Sequence, residues 1–244
     1  GDDEVADLSE RFNAAAERIE GLMASQKSLL ANASHELRSP LARIRMGLEL
    51  LSNPAADPSA LDRHRAEISR NMAELDQLID EILLASRLGA READIGTVEA
   101  VDLVGLCAEE CAMTGATLDV PPGLSQLEVQ GVAKLLRRMV RNLLENALRY
   151  GATVHGQNEI VLSLLQESAH IGLRVCDRGP GVPSEFRERI FEPFFRLPGA
   201  SESGGGVGLG LALVRSIAER HGAHVLYEER SGGGGCFVVV WKKM

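Results

Sequence analysis

Apolar residues recur at Leu30, Leu37, Leu41, Ile44, Leu48 and Leu51, in steps of seven, four, three, four and three. That spacing lays one stripe along a helix that packs against another helix. From residue 4 to residue 52 there is no proline before Pro40 and few glycines, so a nearly continuous helix is expected. "SNPAADPSA" (52–60) interrupts it with two prolines. A second stripe follows at Leu61, Ile68, Met72, Leu75, Ile79 and Ile82. Two striped helices joined by a short loop predict an antiparallel hairpin. Neither stripe is buried by one helix alone, so a homodimer closing a four-helix bundle is the expected assembly.

Past "RLGAREADIGT" (87–97), a polar linker with glycine, the pattern changes. Strand-like runs appear at "IVLSLL" (160–165), "IGLRVC" (171–176), "HVLYEE" (224–229) and "CFVVVW" (236–241), with helices fitting best at 132–150 and 208–221. This half reads as an α/β sandwich, a mixed sheet with helices on one face. The fold class is therefore a helical-hairpin domain followed by an α/β domain, and 244 residues suffice for both.

Composition narrows the picture. Hydrophobic residues make up 45% of the chain and aromatics 4%, so the core is aliphatic. A net charge of −9 argues against a nucleic-acid binder held by phosphate contacts. No apolar run is long enough to span a membrane and no signal peptide is present. The chain opens in mid-pattern with "DDEVADLSERF", so a fragment of something longer is expected. Cys107, Cys111, Cys176 and Cys236 form no CxxC pair and no zinc spacing, so they are expected as small buried thiols suited to a reducing cytoplasm.

"NASHELRSPLARI" (32–44) carries the first candidate chemistry. At about 100° per residue His35 lies roughly 140–160° from Leu30 and Leu37, and so faces outward. Glu36 is its neighbour and Ser39, four residues on, shares its face. Pro40 withholds the hydrogen bond owed to the Glu36 carbonyl, so a bend is expected beside the histidine. An exposed imidazole beside a carboxylate suits a nucleophile that an outside group must reach. HExxH, the zinc-protease pattern, fails because Ser39 occupies the second histidine position. An ordinary surface histidine is the default reading for His35, and it is kept for His64, His155, His170, His221 and His224. His221, just before Gly222, reads as a last-turn residue at a helix C-terminus.

Four further segments suit a nucleotide. In "RNLLENALRYG" (141–151), Asn142, Asn146 and Arg149 line the edge of an apolar face made by Leu136, Met139, Leu143 and Ala147. Two amides four apart can hold a cation or a water, and Arg149 can approach phosphate, although simple solvation explains them equally. In "IGLRVCDRGPGVP" (171–183), alternation puts Asp177 on the side of Ile171, Leu173 and Val175. A buried carboxylate there needs a donor, and the exocyclic amine of adenine would serve. Gly179 and Gly181 would let the backbone approach a flat ring, or simply make a turn. "GGGVGLGLALVRSIAERHG" (204–222) runs a glycine loop into a helix whose free N–H groups suit phosphates; it is not a P-loop, and a flexible linker would carry the same letters. "ERIFEPFFRLPG" (188–199) clusters Phe191, Phe194 and Phe195, either a lid hinge or packing.

Taken in order, "SHELRSPL", "NLLENALRY", "DRGPG", "FEPFFR" and "GVGLGLALV" resemble the H, N, G1, F and G2 boxes of two-component sensor histidine kinases. The resemblance covers essentially the whole chain. "DEVADLSERFNAAAERIEGL" (3–22) also resembles the closing helix of a HAMP signal-relay domain, which implies a bacterial inner-membrane parent of which this is the cytoplasmic portion. The implied domains are a HAMP-like helix over 1–25, a dimerisation and phosphotransfer domain over 26–92, and an ATP-binding domain of the gyrase and Hsp90 kind over 97–244. The resemblance implies His35 as phosphoacceptor, Glu36 as its assisting base, and Mg²⁺ at Asn146 with Asn142 in or beside its shell. It implies Arg149 and Tyr150 along the nucleotide pocket and Asp177, Gly179 and Gly181 at adenine. Gly206, Gly208, Leu209 and Gly210 would border the phosphates of ATP, and the partner would be a response-regulator receiver domain. Two features depart from the family. Ser39 stands where threonine is commonest, at a position associated with dephosphorylating the regulator. Serine lacks threonine's rotamer restriction, so modest phosphatase activity is expected. The stretch between Cys111 and Val120 is shorter than usual for the family.

Overall fold

The computed structural model describes residues 2–52, 57–89, 95–151, 159–199 and 206–242, in two compact units, Gly1–Arg91 and Glu92–Met244. In the first unit, α1 (Asp2–Leu51) runs on through Pro40 and packs on α2 (Pro58–Gly89). Gly47 allows close approach, because a Cβ there would stand 2.7 Å from Ile68 Cγ1. Leu29, Ala33, Pro40 and Gly47 of α1 are buried, as are Ile68, Asn71, Leu78, Glu81 and Leu88 of α2.

Within a single hairpin the stripe expected from spacing is covered only in part. Leu37, Ile44 and Leu51 are half-buried, whereas Leu30, Leu41 and Leu48 remain exposed at 56%, 57% and 52%. On α2, Ile68 is buried while Met72 and Ile79 are open. Seven-residue spacing merges two neighbouring faces 40–60° apart, and packing within one hairpin covers only one of them.

In the second unit, β1 (Glu99–Asp102) pairs antiparallel with β3 (Glu128–Gly131), flanking α3 (Leu103–Thr114) and β2 (Thr117–Asp119). Asp102 caps α3, accepting from the N–H groups of Val104 and Gly105 and also from Leu127 across the loop. Then follow α4 (Ala133–Tyr150), β4 (Val161–Gln166), β5 (His170–Cys176), α5 (Gly210–Arg220), β6 (Ala223–Glu229) and β7 (Gly235–Lys242). The main sheet runs β2-β4-β5-β7-β6, with only β2–β4 parallel. Ile171, Leu173 and Val175 of β5 and Phe237, Val239 and Trp241 of β7 are buried on one face, where α4 and α5 contribute Leu136, Met139, Leu143, Leu213 and Ile217.

The alternate positions form a smaller cluster of Cys176, Cys236 and Val238 with Leu226 and Val240. Cys176 and Cys236 are direct partners in the β5–β7 register, their Cα atoms 4.1 Å apart, and a disulfide joins them. The expectation of four free thiols is corrected here. Sixty residues separate these two cysteines, and only strand pairing brings them together. Cys107 and Cys111 are free and buried on α3; burial and the nearby Glu110 charge push the Cys111 thiol up to about 11.

Two polar devices fix α4. Glu110 of α3, fully buried, accepts two bonds from Arg141 and one from Arg137. Burial opposes its charge, but these guanidiniums outweigh burial and hold the carboxyl below its usual range. At the helix start no side chain caps Val132; instead its N–H donates to His221 Nε2, while His221 Nδ1 meets the Ile217 carbonyl at 2.7 Å. His221 is thus the neutral Nδ1–H tautomer, with its pKa lowered by burial and then by Arg220, against the pull of the Ile217 carbonyl. The last-turn contact read from the sequence is present, and the bond to Val132 is an addition that spacing could not show.

Candidate functional site

On α1, His35 is exposed, as its outward angle predicts, and Glu36 is half-buried beside it. Ser39 is exposed one turn further on, and its Oγ accepts from Arg43 Nη1 at 3.2 Å. Arg43 also donates from Nε to Asn71 Oδ1 at 2.6 Å and from Nη2 to Glu74 Oε2 at 2.7 Å, both on α2. No group of three or more His, Cys, Asp or Glu among the described residues is placed to hold a metal.

The nucleotide candidates converge in the second unit, where the C-terminal end of α4, the loop after β5 and the start of α5 meet. Asn142 is buried and donates from Nδ2 to the Gly210 carbonyl at 3.1 Å, which ties α4 to the first residue of α5. Its carbonyl oxygen is then the atom suited to a cation or an ordered water. Asn146, one turn on, is half-buried, while Arg149 and Tyr150 are exposed.

Asp177 is buried directly after β5, on the side that alternation predicts. Its backbone N–H bonds the Gly235 carbonyl, and Oδ1 accepts from the Gly179 N–H at 2.8 Å. Burial raises its pKa, opposed by backbone bonds at Gly179 and Gly235 and by the charge of Arg230. Such an acceptor calls for a further donor in a polar ligand. Gly179 is required by proximity, since a Cβ there would lie 2.2 Å from the Tyr150 carbonyl. Gly181 has φ +73°, and a Cβ would press on the Tyr227 hydroxyl.

In the glycine loop, residues 200–205 lie outside the described residues. Gly206 has φ +111° and no room for a side chain against the Arg149 guanidinium, which places that cation over the loop. Gly208 has φ +80°, with the backbone of Phe194 and Phe195 at 2.8 Å from its would-be Cβ. Leu209 is fully buried and anchors the loop, and Gly210 opens α5, at whose start no side chain caps the helix. Phe194 has φ +63° and its N–H bonds the Gly208 carbonyl, so the phenylalanine segment and the glycine loop brace each other. Phe191 instead packs edge-on against Phe237 in the core.

Several residues here escaped the sequence reading. Arg230 donates to the Asp177 carbonyl and to Glu159, and Arg178 donates to the same carboxylate. Together they hold Glu159 below its usual range and brace the Asp177 loop. Nothing in the spacing of 159, 178 and 230 signals this contact.

The arrangement fits a phosphorylated nucleotide: a buried carboxylate at one end, two amides in the middle, and a guanidinium with helix N–H groups at the other. Residues 131–244 match the histidine kinase-, DNA gyrase B- and HSP90-like ATPases, and residues 25–91 match the His Kinase A phospho-acceptor domain. The sensor protein RstB of Escherichia coli (strain K12) is 37% identical over 241 residues, covering 96% of this chain and 53% of that protein. The sensor histidine kinase CpxA of the same organism is 35% identical over 238 residues, covering 94% and 50%. The chain thus spans about half the length of these curated relatives. Among solved structures, histidine kinase ThkA in complex with response regulator protein TrrA shares the fold at TM-score 0.71 and 21% identity, over 96% of this chain and 66% of that one. Acinetobacter baumannii histidine kinase AdeS does so at TM-score 0.64 and 19% identity, over 85% and 97%. With a phosphoacceptor hairpin followed by this ATPase fold, the chain belongs to the sensor histidine kinases.

Proposed function

We propose that the chain transfers the γ-phosphoryl group of ATP to His35 and then passes it to an aspartate of a response-regulator receiver domain. The observation that carries this reading is the pairing of an exposed imidazole on α1 with a nucleotide-shaped cradle in the second unit. Asp177 would accept from the adenine amine, and Arg149 with the Gly206–Gly210 loop would face the phosphates. The carbonyl oxygens of Asn146 and Asn142 suit Mg²⁺, which keeps several waters and takes few protein oxygens. Bound there, the ion would neutralise charge on the phosphates.

The neutral ring of His35 attacks phosphorus, the bond to the β-phosphate oxygen breaks with its electron pair leaving on ADP, and Glu36 takes the ring proton. Phosphoryl transfer depends on positioning and charge stabilisation rather than on a dense catalytic cluster. That is why acceptor and nucleotide site can reside in separate units. Ser39, sharing the exposed face of His35, would hold the water that hydrolyses phospho-aspartate on a docked regulator. The open stripe at Leu30, Leu41, Leu48, Met72 and Ile79 supports a homodimer. Residues 1–25 would form the end of a HAMP-like signalling helix in a membrane-bound parent.

The test is incubation with γ-labelled ATP and Mg²⁺. A label lost in acid and retained in alkali is expected of phosphohistidine. An acid-stable label, or steady ATP hydrolysis with no label, would overturn the reading in favour of a gyrase-like ATPase.

A further inference from the structure

Asn71, one of two buried polar residues described on α2, is out of place for a hairpin built on apolar stripes. Asn71 is buried between the helices, where an aliphatic side chain would pack without polar demands. Both ends of its amide are engaged: Nδ2 donates to the Glu67 carbonyl at 2.8 Å, and Oδ1 accepts from Arg43 Nε at 2.6 Å. Glu74, one turn further along α2, takes Arg43 Nη2 at 2.7 Å. A guanidinium is a rigid planar fork, so two fixed acceptors on α2 determine where its third nitrogen points. That nitrogen, Nη1, donates to Ser39 Oγ.

Stability is a poor explanation for this arrangement. The Arg43–Glu74 pair is exposed at 42% and 46%, and exposed pairs of this kind contribute little. What the network does achieve is to fix a hydroxyl that would otherwise rotate freely. Serine lacks the β-methyl that limits threonine's rotamers. Here one acceptor lobe of Ser39 Oγ is occupied from a known direction, so its remaining lone pair and its proton are confined to the other side.

We propose that Arg43 is a positioning residue for Ser39: pinned to α2 by Asn71 and Glu74, it orients the Ser39 hydroxyl toward the water that dephosphorylates a receiver domain. The inference rests on the reading of Ser39 given above. In the step, the remaining lone pair of Ser39 accepts a hydrogen from the water, leaving the water's own lone pair free for phosphorus. The new bond joins water oxygen to phosphorus, and the bond to the aspartyl oxygen breaks with its pair returning to the carboxylate. The water proton leaves with inorganic phosphate or to solvent. Phosphatase activity is therefore robust with serine, not modest, because α2 supplies the restraint that the missing methyl would have given.

The test uses the whole chain and a receiver domain that it phosphorylates, charged at its aspartate with acetyl phosphate, in the presence of ADP and Mg²⁺. Arg43→Lys keeps the charge but gathers its donors on one nitrogen, and so loses the rigid planar fork that spans the three acceptors. It should lower kcat for dephosphorylation by roughly ten- to a hundredfold, the scale of a small misplacement, with KM for the receiver unchanged. ATP-dependent labelling of His35 should persist in Arg43→Lys, which separates this effect from misfolding. Adding Ser39→Thr to Arg43→Lys should restore most of the loss, because the methyl then limits the hydroxyl without help. Unchanged kcat in Arg43→Lys, with activity lost in Ser39→Ala, would overturn the inference and leave Ser39 its role. A raised KM, or no rescue by threonine, would make Arg43 a docking or packing residue and equally overturn it. Equal decay for Ser39→Ala and the parent chain would show that the reading of Ser39 itself had failed.

Discussion

The two units solve the burial problem differently. The ATPase unit closes a core in which Leu136, Met139, Leu143, Leu162, Leu213, Ile217 and Val239 are fully shielded from solvent. Among the described residues the hairpin buries few, two of them polar (Asn71 and Glu81), and leaves Leu30, Leu41, Leu48, Met72 and Ile79 open. One unit closes its own core, and the other leaves an apolar face that the proposed homodimer would cover. The difference extends to chemistry. In the hairpin the proposed phosphoacceptor, His35, is exposed on the outside of a helix. In the ATPase unit the polar groups sit at the rim of a closed sandwich, held by buried bonds such as Asn142 to Gly210 and Asp177 to Gly179.

The contrast breaks if the open face is not an interface. Leu48→Glu with Ile79→Glu should weaken self-association by at least about a hundredfold, roughly 2.7 kcal/mol, while nucleotide binding stays as it was. Light scattering across micromolar concentrations reads the result, and an intact dimer would contradict it. A smaller effect is expected inside the closed unit. Glu110→Gln leaves Arg137 and Arg141 facing a neutral amide; because both guanidiniums are partly open to water, the cost is about 1–3 kcal/mol of ATPase-unit stability. The Glu110 carboxyl is lowered from its ordinary 4.5, so its contribution is present above that pH and lost as pH falls through the lowered value. Thermal melts should show an acid limb that the glutamine variant lacks.

The smallest effect concerns His221. Its pKa in the fold lies below the ordinary 6.5, so the neutral ring contributes fully above that pH. As pH falls below 6.5 the unfolded chain takes up a proton that the folded ring resists, and stability declines by at most about 1.4 kcal/mol near pH 5.5. His221→Gln should flatten that slope in the ATPase unit and leave the melting of the hairpin unchanged.

Much of this architecture was legible because local pattern and tertiary burial agree. The runs at 171–176 and 236–241 become β5 and β7, and the side assigned to Asp177 follows from strand alternation. The outward angle of His35 needs only helical geometry. Other features were illegible for one physical reason, that they are long-range. Cys176 and Cys236 meet through strand register, His221 reaches Val132 across 89 residues, and Arg43 reaches Asn71 across the hairpin. The split of the leucine stripe into a covered and an open face also depends on how α1 and α2 pack. Short elements such as β2 (Thr117–Asp119) carry too few residues for any periodicity to show.

The central claim is that the acceptor of the phosphoryl group belongs to the hairpin and the nucleotide to the sandwich. His35→Gln tests it most directly. The variant should take no label from γ-labelled ATP and Mg²⁺, yet bind ATP with the affinity of the parent chain, because Asp177, Asn142 and the Gly206–Gly210 loop all belong to the other unit. Undiminished labelling of that variant would contradict the account.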